Sequence, residues 1–197
     1  MVQTQKSAKS AATNGDDKMV KITISGHPGS GTSTLVSLIC KHYNWNSING
    51  GDIFRQEATA RNMSLADFGT LCSQDESVDR SLDTILQERM LNESGPEVIE
   101  SRLSGWWAYK NGIDCIRIWL DVSDEERARR VVEREGGELM DALERNGVRS
   151  AIDLERFKNM YSLDPSSEIP YTHIIDSSSL QADALANVAI SILEGEE

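Results

Sequence analysis

Val20-Lys21-Ile22-Thr23-Ile24-Ser25-Gly26-His27-Pro28-Gly29-Ser30-Gly31-Thr32-Ser33 is the stretch from which the rest of the chain can be read. Its first six residues alternate in a β-rich run that stops at Gly26. Beyond the glycines, Leu35, Leu38, Ile39 and His42 recur at helical spacing, which predicts a helix from about Thr32 to Tyr43. A strand, a glycine-rich turn and a helix in this order form the setting that a phosphate-binding loop requires. Glycines let the backbone wrap tightly, so that successive N–H groups converge on an anion and the helix N-terminus adds its positive dipole end. Thr34 continues the loop into the helix, and Ser33 stands at the hydroxyl position that ligates Mg²⁺ in such loops. Thr32 stands where the pattern has lysine, so the backbone cradle is kept but the mobile cation is lost. The plain alternative is a glycine-rich turn that binds nothing.

Outward from this loop, strands and helices alternate. Ser47-Ile48-Asn49 reads as a short strand, and Asp52 as the cap of a helix reaching about Asn62. Ser64 with Asp67 resembles a capping box, and Val78, Leu82, Ile85, Leu86 and Met90 form the apolar stripe of a further helix. Residues 97–100 and 116–120 read as buried strands. Ser123 caps a charged helix to Glu135, which Gly136-Gly137 breaks, and helical segments follow to about Tyr161. Thr172 to Asp176 is the last strand and Ala184 to Leu193 the last helix. This alternation predicts an α/β fold with a parallel sheet covered on both faces. Residues 1–18 carry almost no large apolar side chain and read as a disordered tail ahead of one domain over 19–197.

Composition narrows the function classes. The net charge of −12 argues against nucleic acid as a partner. No apolar run is long enough to cross a bilayer and the N-terminus lacks a signal-peptide core, so a cytoplasmic, membrane-free protein is expected. Cys40, Cys72 and Cys115 lack paired spacing and read as reduced thiols. All 13 arginines lie between Arg55 and Arg156, seven of them from Arg127 onward. Arginine's planar fork matches phosphate oxygens, so this concentration in an acidic chain fits an anionic substrate. Helix-surface ion pairs are the competing explanation for most of them.

Several ordered blocks carry a family resemblance: Ile24-Ser25-Gly26 through Thr34, Gly50-Gly51-Asp52-Ile53-Phe54-Arg55, Glu100-Ser101-Arg102-Leu103-Ser104-Gly105-Trp106, Arg127 to Glu135, and Arg156-Phe157-Lys158 leading to Tyr161-Ser162-Leu163-Asp164. From about Met19 onward the chain resembles the archaeal type of cytidylate kinase, a branch of the P-loop nucleoside monophosphate kinases. Some members carry threonine at the loop's lysine position, which would make Thr32 a variant within the family.

The resemblance implies a five-stranded parallel sheet flanked by helices, an acceptor-binding region over about 52–93, and an arginine-rich lid over about 127–156. It implies phosphoryl transfer from ATP, with Mg²⁺, to CMP or dCMP. Gly26, His27, Pro28, Gly29, Ser30, Gly31, Thr32, Ser33 and Thr34 would hold the ATP phosphates, and Ser33 the metal. Arg55 and Arg102 match the acceptor-phosphate arginines, and Arg149 with Asp153 matches a further acceptor-contacting pair. The cytosine-reading carboxylate of the bacterial branch is Leu103 here.

Such a reaction needs no general base, because the attacking phosphate oxygen is already ionised; it needs charge neutralisation and alignment. Arg127, Arg130 and Arg134 fall at i, i+3 and i+7 and are expected to present one catalytic face from the lid, against the alternative of salt bridges to Glu126 and Glu133. Asp79 and Asp83 share a helix face, either selecting the acceptor or forming a solvated acidic face. Trp106 and Trp107 are candidates for the acceptor wall or for the core. His27 is a candidate phosphate donor, and Glu100 a candidate to orient a Mg²⁺-bound water. The chain is expected to be a monomer. Two other functions compete: a kinase for another monophosphate such as AMP or UMP, and a nucleotide-binding regulatory or assembly ATPase. Arg55 and Arg102 speak against the second, since a pure ATP binder has no use for them.

Overall fold

In the computed structural model, which describes residues 20–195, five parallel strands lie in the order β2-β3-β1-β4-β5. In chain order the elements are β1 (Ile22–Gly26), α1 (Thr32–Tyr43), β2 (Ser47–Asn49), α2 (Gly50–Ala60), α3 (Leu65–Gln74), α4 (Glu76–Leu91), β3 (Val98–Glu100), α5 (Ser104–Lys110), β4 (Ile116–Asp121), α6 (Asp124–Glu135), α7 (Leu139–Tyr161), β5 (His173–Asp176) and α8 (Ala182–Glu194). The proposed tail over residues 1–18 lies outside the described residues.

Strand alternation sets the two cores. Ile22 and Ile24 of β1, Val98 of β3, and Ile118 and Leu120 of β4 pack with Leu35, Val36, Ile39, Leu185, Ala186 and Ala189, placing α1 and α8 on one face. Ile99 joins Ile53, Leu86, Met90, Leu103, Trp106, Trp107 and Phe157 on the other. There the backbone of α5 comes close to β1. Ser104 Oγ lies 3.0 Å from Ser25 Oγ, and a Cβ on Gly105 would meet the Tyr171 ring at 2.3 Å. Both tryptophans of α5 are thereby core residues and neither walls the cleft; Trp106 Nε1 donates to the Asp164 carbonyl at 2.8 Å. Because β1 lies between β3 and β4, chain order reverses on either side of it, and a crevice opens at its C-terminal end.

Local chemistry corrects two element readings. The cap of α2 is Asn49, whose side chain accepts from the Asp52 N–H at 2.7 Å; Asp52 lies in the first turn and accepts in return from Asn49 Nδ2 at 2.6 Å. Gly50 and Gly51 are therefore helical. The segments after Gly137 form one 23-residue helix, α7. The Ser64–Asp67 capping box forms as read, and Ser123 caps α6.

Candidate active site

A cleft of about 620 Å³ opens at the C-terminal ends of β1 and β3. The phosphate loop forms one wall. Gly29 and Gly31 have φ of 87° and 89°, the left-handed backbone that glycine tolerates and other residues resist. A Cβ on Gly29 would come within 2.8 Å of the Arg127 carbonyl, so only glycine lets α6 pack this closely beneath the loop. Ser30 and Thr32 turn inward while Ser33 and Thr34 remain exposed.

Thr32 points its hydroxyl at β3, donating to Glu100 Oε1 at 2.5 Å. Ser33 Oγ donates to the same carboxylate at 3.0 and 3.2 Å. The residue that replaces lysine thus ties the loop to the strand end. Ser33 and Glu100 together form an all-oxygen donor pair of the kind Mg²⁺ accepts alongside nucleotide phosphates. Their chemistry fits the ion, which when bound would screen phosphate charge at this wall. Among the described residues no group of three or more His, Cys, Asp or Glu side chains is placed to hold a metal.

Burial holds the His27 imidazole below its ordinary pKa, and the positive charges of Arg127 and Arg102 push it the same way, so near neutral pH it is an uncharged ring. It stands edge-on to Trp119 at 5.1 Å.

The three α6 arginines do not share the cleft. Arg127 is 3% exposed; it donates to the Pro28 carbonyl at 3.0 Å and to Ser150 Oγ at 3.4 Å, and pairs with Asp124. Arg130 donates to the Ser30 carbonyl at 2.9 Å, the Ser177 carbonyl at 2.5 Å and Glu126 at 2.8 Å. Both brace the loop from behind. Only Arg134, paired with Glu135, lines the cleft. Helical spacing correctly put 127, 130 and 134 on one side, but the loop occupies most of that side. The Glu126 salt bridge expected as the alternative is present for Arg130 and Arg129.

Arg55, Arg102, Arg149 and Asp153 line the same cleft as the loop. Arg55 reaches back to Asp52 at 2.5 Å. Arg102 Nη1 donates to the Gly26 carbonyl at 3.1 Å and Nε to Asp153 at 3.2 Å, so it touches both the loop and α7. Burial disfavours its charge and lowers its pKa, while Asp153 opposes that effect. Arg149 makes no hydrogen bond or ion pair among the described residues.

Three further charged residues line the cleft. Arg156 bridges Asp153 at 3.4 Å and Asp79 at 3.1 Å. Asp79, 7% exposed, and Asp83 stand in the cleft wall, not on a solvated face. The signal was available: both fall at helical spacing from Leu82, Leu86 and Met90, on the apolar stripe itself.

A family model described as an AAA domain matches residues 25–145. The chain is 37% identical to the cytidylate kinase of Methanococcoides burtonii over 157 residues, spanning 80% of this chain and 87% of that one. It is 34% identical to the cytidylate kinase of Halobacterium salinarum over 173 residues, 88% of each. Among solved structures, a gluconokinase from Sinorhizobium meliloti superposes with a TM-score of 0.58 at 16% identity, covering 90% of this chain and 93% of that one, which shows a shared fold. With identity of this order over nearly the whole of both sequences, and with the glycine loop and Arg55, Arg102 and Arg149 lining one cleft, the chain belongs to the cytidylate kinase family.

Proposed function

We propose that this chain transfers the γ-phosphoryl group of ATP to CMP or dCMP, giving ADP and CDP or dCDP. The observation that carries this reading is that the phosphate loop and Arg55, Arg102 and Arg149 line one cleft. An acceptor phosphate oxygen attacks the γ-phosphorus while the bond to the β,γ-bridging oxygen breaks, and ADP leaves with that electron pair. No side chain need take a proton; repulsion between two polyanions is the obstacle. Arginines on the acceptor wall offset it, and Mg²⁺ is the proposed metal, held at Ser33 and Glu100.

The missing loop lysine is offset in part by Arg127 and Arg130. Their guanidinium groups, fixed behind Pro28 and Ser30, raise the positive potential of the loop without touching the cleft. Arg134 lies in the last turn of α6 just before Gly136-Gly137 and Arg149 lies within α7, and closure of this segment over bound nucleotides would add their charge at the moment of transfer. The proposed setting is a cytoplasmic monomer; among the described residues no helix is long and apolar enough to cross a membrane.

The deciding assay is ADP release with Mg²⁺-ATP, with and without CMP. Release that depends on CMP supports the reading. Release that ignores every monophosphate would favour the assembly-ATPase alternative, and faster turnover of AMP or UMP would move the acceptor assignment.

A further inference from the structure

A ladder of polar groups leads from the phosphate loop into the acceptor side of the cleft. Arg102 joins the Gly26 carbonyl to Asp153, and Arg156 joins Asp153 to Asp79. One helical turn further along α4 is Asp83, whose Oδ2 accepts from the Tyr161 hydroxyl at 2.8 Å. The ladder is charged and phosphate-like in its preferences near Arg102. Around Asp83 the lining changes to Leu82, Leu86, Leu103 and Phe157, flat apolar surface suited to an aromatic ring.

The two carboxylates of α4 differ in what they can still do. Both oxygens of Asp79 lie within 3.3 Å of Arg156 Nη1, so that group is spent on positioning the arginine. Asp83 Oδ1 has no hydrogen bond among the described residues. The Trp107 indole N–H lies near enough to favour the Asp83 charge slightly, but outside hydrogen-bond geometry.

We propose that Asp83 selects the base of the acceptor, taking a hydrogen bond from the exocyclic amino group of an aminopyrimidine while Tyr161 fixes its orientation. The inference rests on the monophosphate-kinase reading above. A keto oxygen at the same place would set lone pairs against a carboxylate, so a uracil ring loses a bond and meets repulsion. A site built around one polarity rejects the analogue that lacks it far more strongly than an apolar pocket does. The surroundings are consistent with this role. Burial, with the Asp79 charge adding to it, pushes the Asp83 carboxyl up to about 6, against the opposing help of Tyr161 and Arg156. An empty site therefore holds a poorly solvated acceptor that an amino donor would satisfy.

The test is kcat/KM for CMP and for UMP, measured on the unmodified protein, on Asp83→Asn and on Tyr161→Phe. Asp83→Asn keeps the shape and a partner for Tyr161 but can turn an amide N–H toward the ring. The ratio of CMP to UMP efficiency should fall by at least about tenfold, mainly through KM for the acceptor, with KM for ATP unchanged. Tyr161→Phe should shift the ratio in the same direction and by less. An unchanged ratio in Asp83→Asn, or an equal loss with both acceptors, would assign Asp83 a structural role and overturn the proposal. If the unmodified protein does not phosphorylate CMP at all, the kinase reading falls with it; a normal CMP kinase whose ratio ignores Asp83 sinks the base-selection claim alone.

Discussion

Replacing Asp83 by Asn should stabilise the protein in a pH-dependent way. The carboxyl is pushed from 3.8 to about 6 in the folded state, chiefly by burial and secondarily by Asp79 on the same helix. Tyr161 and Arg156 of α7 act against the shift without cancelling it. A folded-state pKa above the unfolded one means that the native protein holds this proton more tightly. Asp83 therefore contributes its full stability below about pH 4 and loses it as pH rises through about 6. The whole interval corresponds to about 3 kcal/mol, and somewhat less than half of it falls between pH 5 and 8. Asn carries no such term and retains a partner for the Tyr161 hydroxyl. Urea unfolding of both proteins across pH 5 to 8 should show the Asn variant gaining on the unmodified protein by about 1–2 kcal/mol, with most of the change at and just below pH 6. A difference that stays flat with pH would mean that Asp83 is solvated, and would refute the burial argument. A carboxylate kept at such a cost where an amide would fit is what a binding residue looks like.

Arg127→Met should remove the brace under the phosphate loop; thermal unfolding should show a loss of about 1–3 kcal/mol, and ATP should raise Tm less than in the unmodified protein. An unaltered ATP response would place Arg127 outside the loop's support. Arg55→Met should weaken CMP with little effect on ATP, whereas Arg102→Met should weaken both, because Arg102 also holds the Gly26 carbonyl; KM values for the two substrates separate these outcomes, and an Arg102 variant with normal ATP KM would contradict the second. Glu100→Gln should raise the Mg²⁺ concentration for half-maximal rate about tenfold or more, since an amide oxygen is the weaker ligand, and a Mg²⁺ titration that overlays the unmodified curve would exclude Glu100 from the metal site.

The fold was legible because the β-rich runs at 20–25 and 116–120 read as strands and the period-3.6 runs after Thr32 and over 78–90 read as helices, in strict alternation along the chain. Arg55 and Arg102 stand in the ordered blocks of the resemblance, whereas Arg149 and Asp153 were matched only as an arginine and an acid four positions apart. What a helix face touches is a different matter. Arg127, Arg130 and Arg134 share a side of α6, yet whether that side meets solvent, a phosphate or a loop depends on Gly29, about 100 positions away, letting the backbone close in. Asp79 and Asp83 stayed open between two readings for a related reason: charge suggests solvent, while their register with Leu82 and Leu86 puts them in the cleft wall. Asn49 and Asp52 are both capping types on either side of Gly50-Gly51, and only the structure shows that the helix begins at the first of them.

Product analysis tests the central claim most directly. The protein is incubated with Mg²⁺ and ATP labelled at the γ-phosphoryl group, and CMP, dCMP, UMP and AMP are offered separately. The account predicts label in the β-phosphoryl group of CDP and dCDP, with ADP formed in equal amount and with UMP and AMP trailing. Label appearing only as inorganic phosphate, at a rate indifferent to CMP, would contradict it.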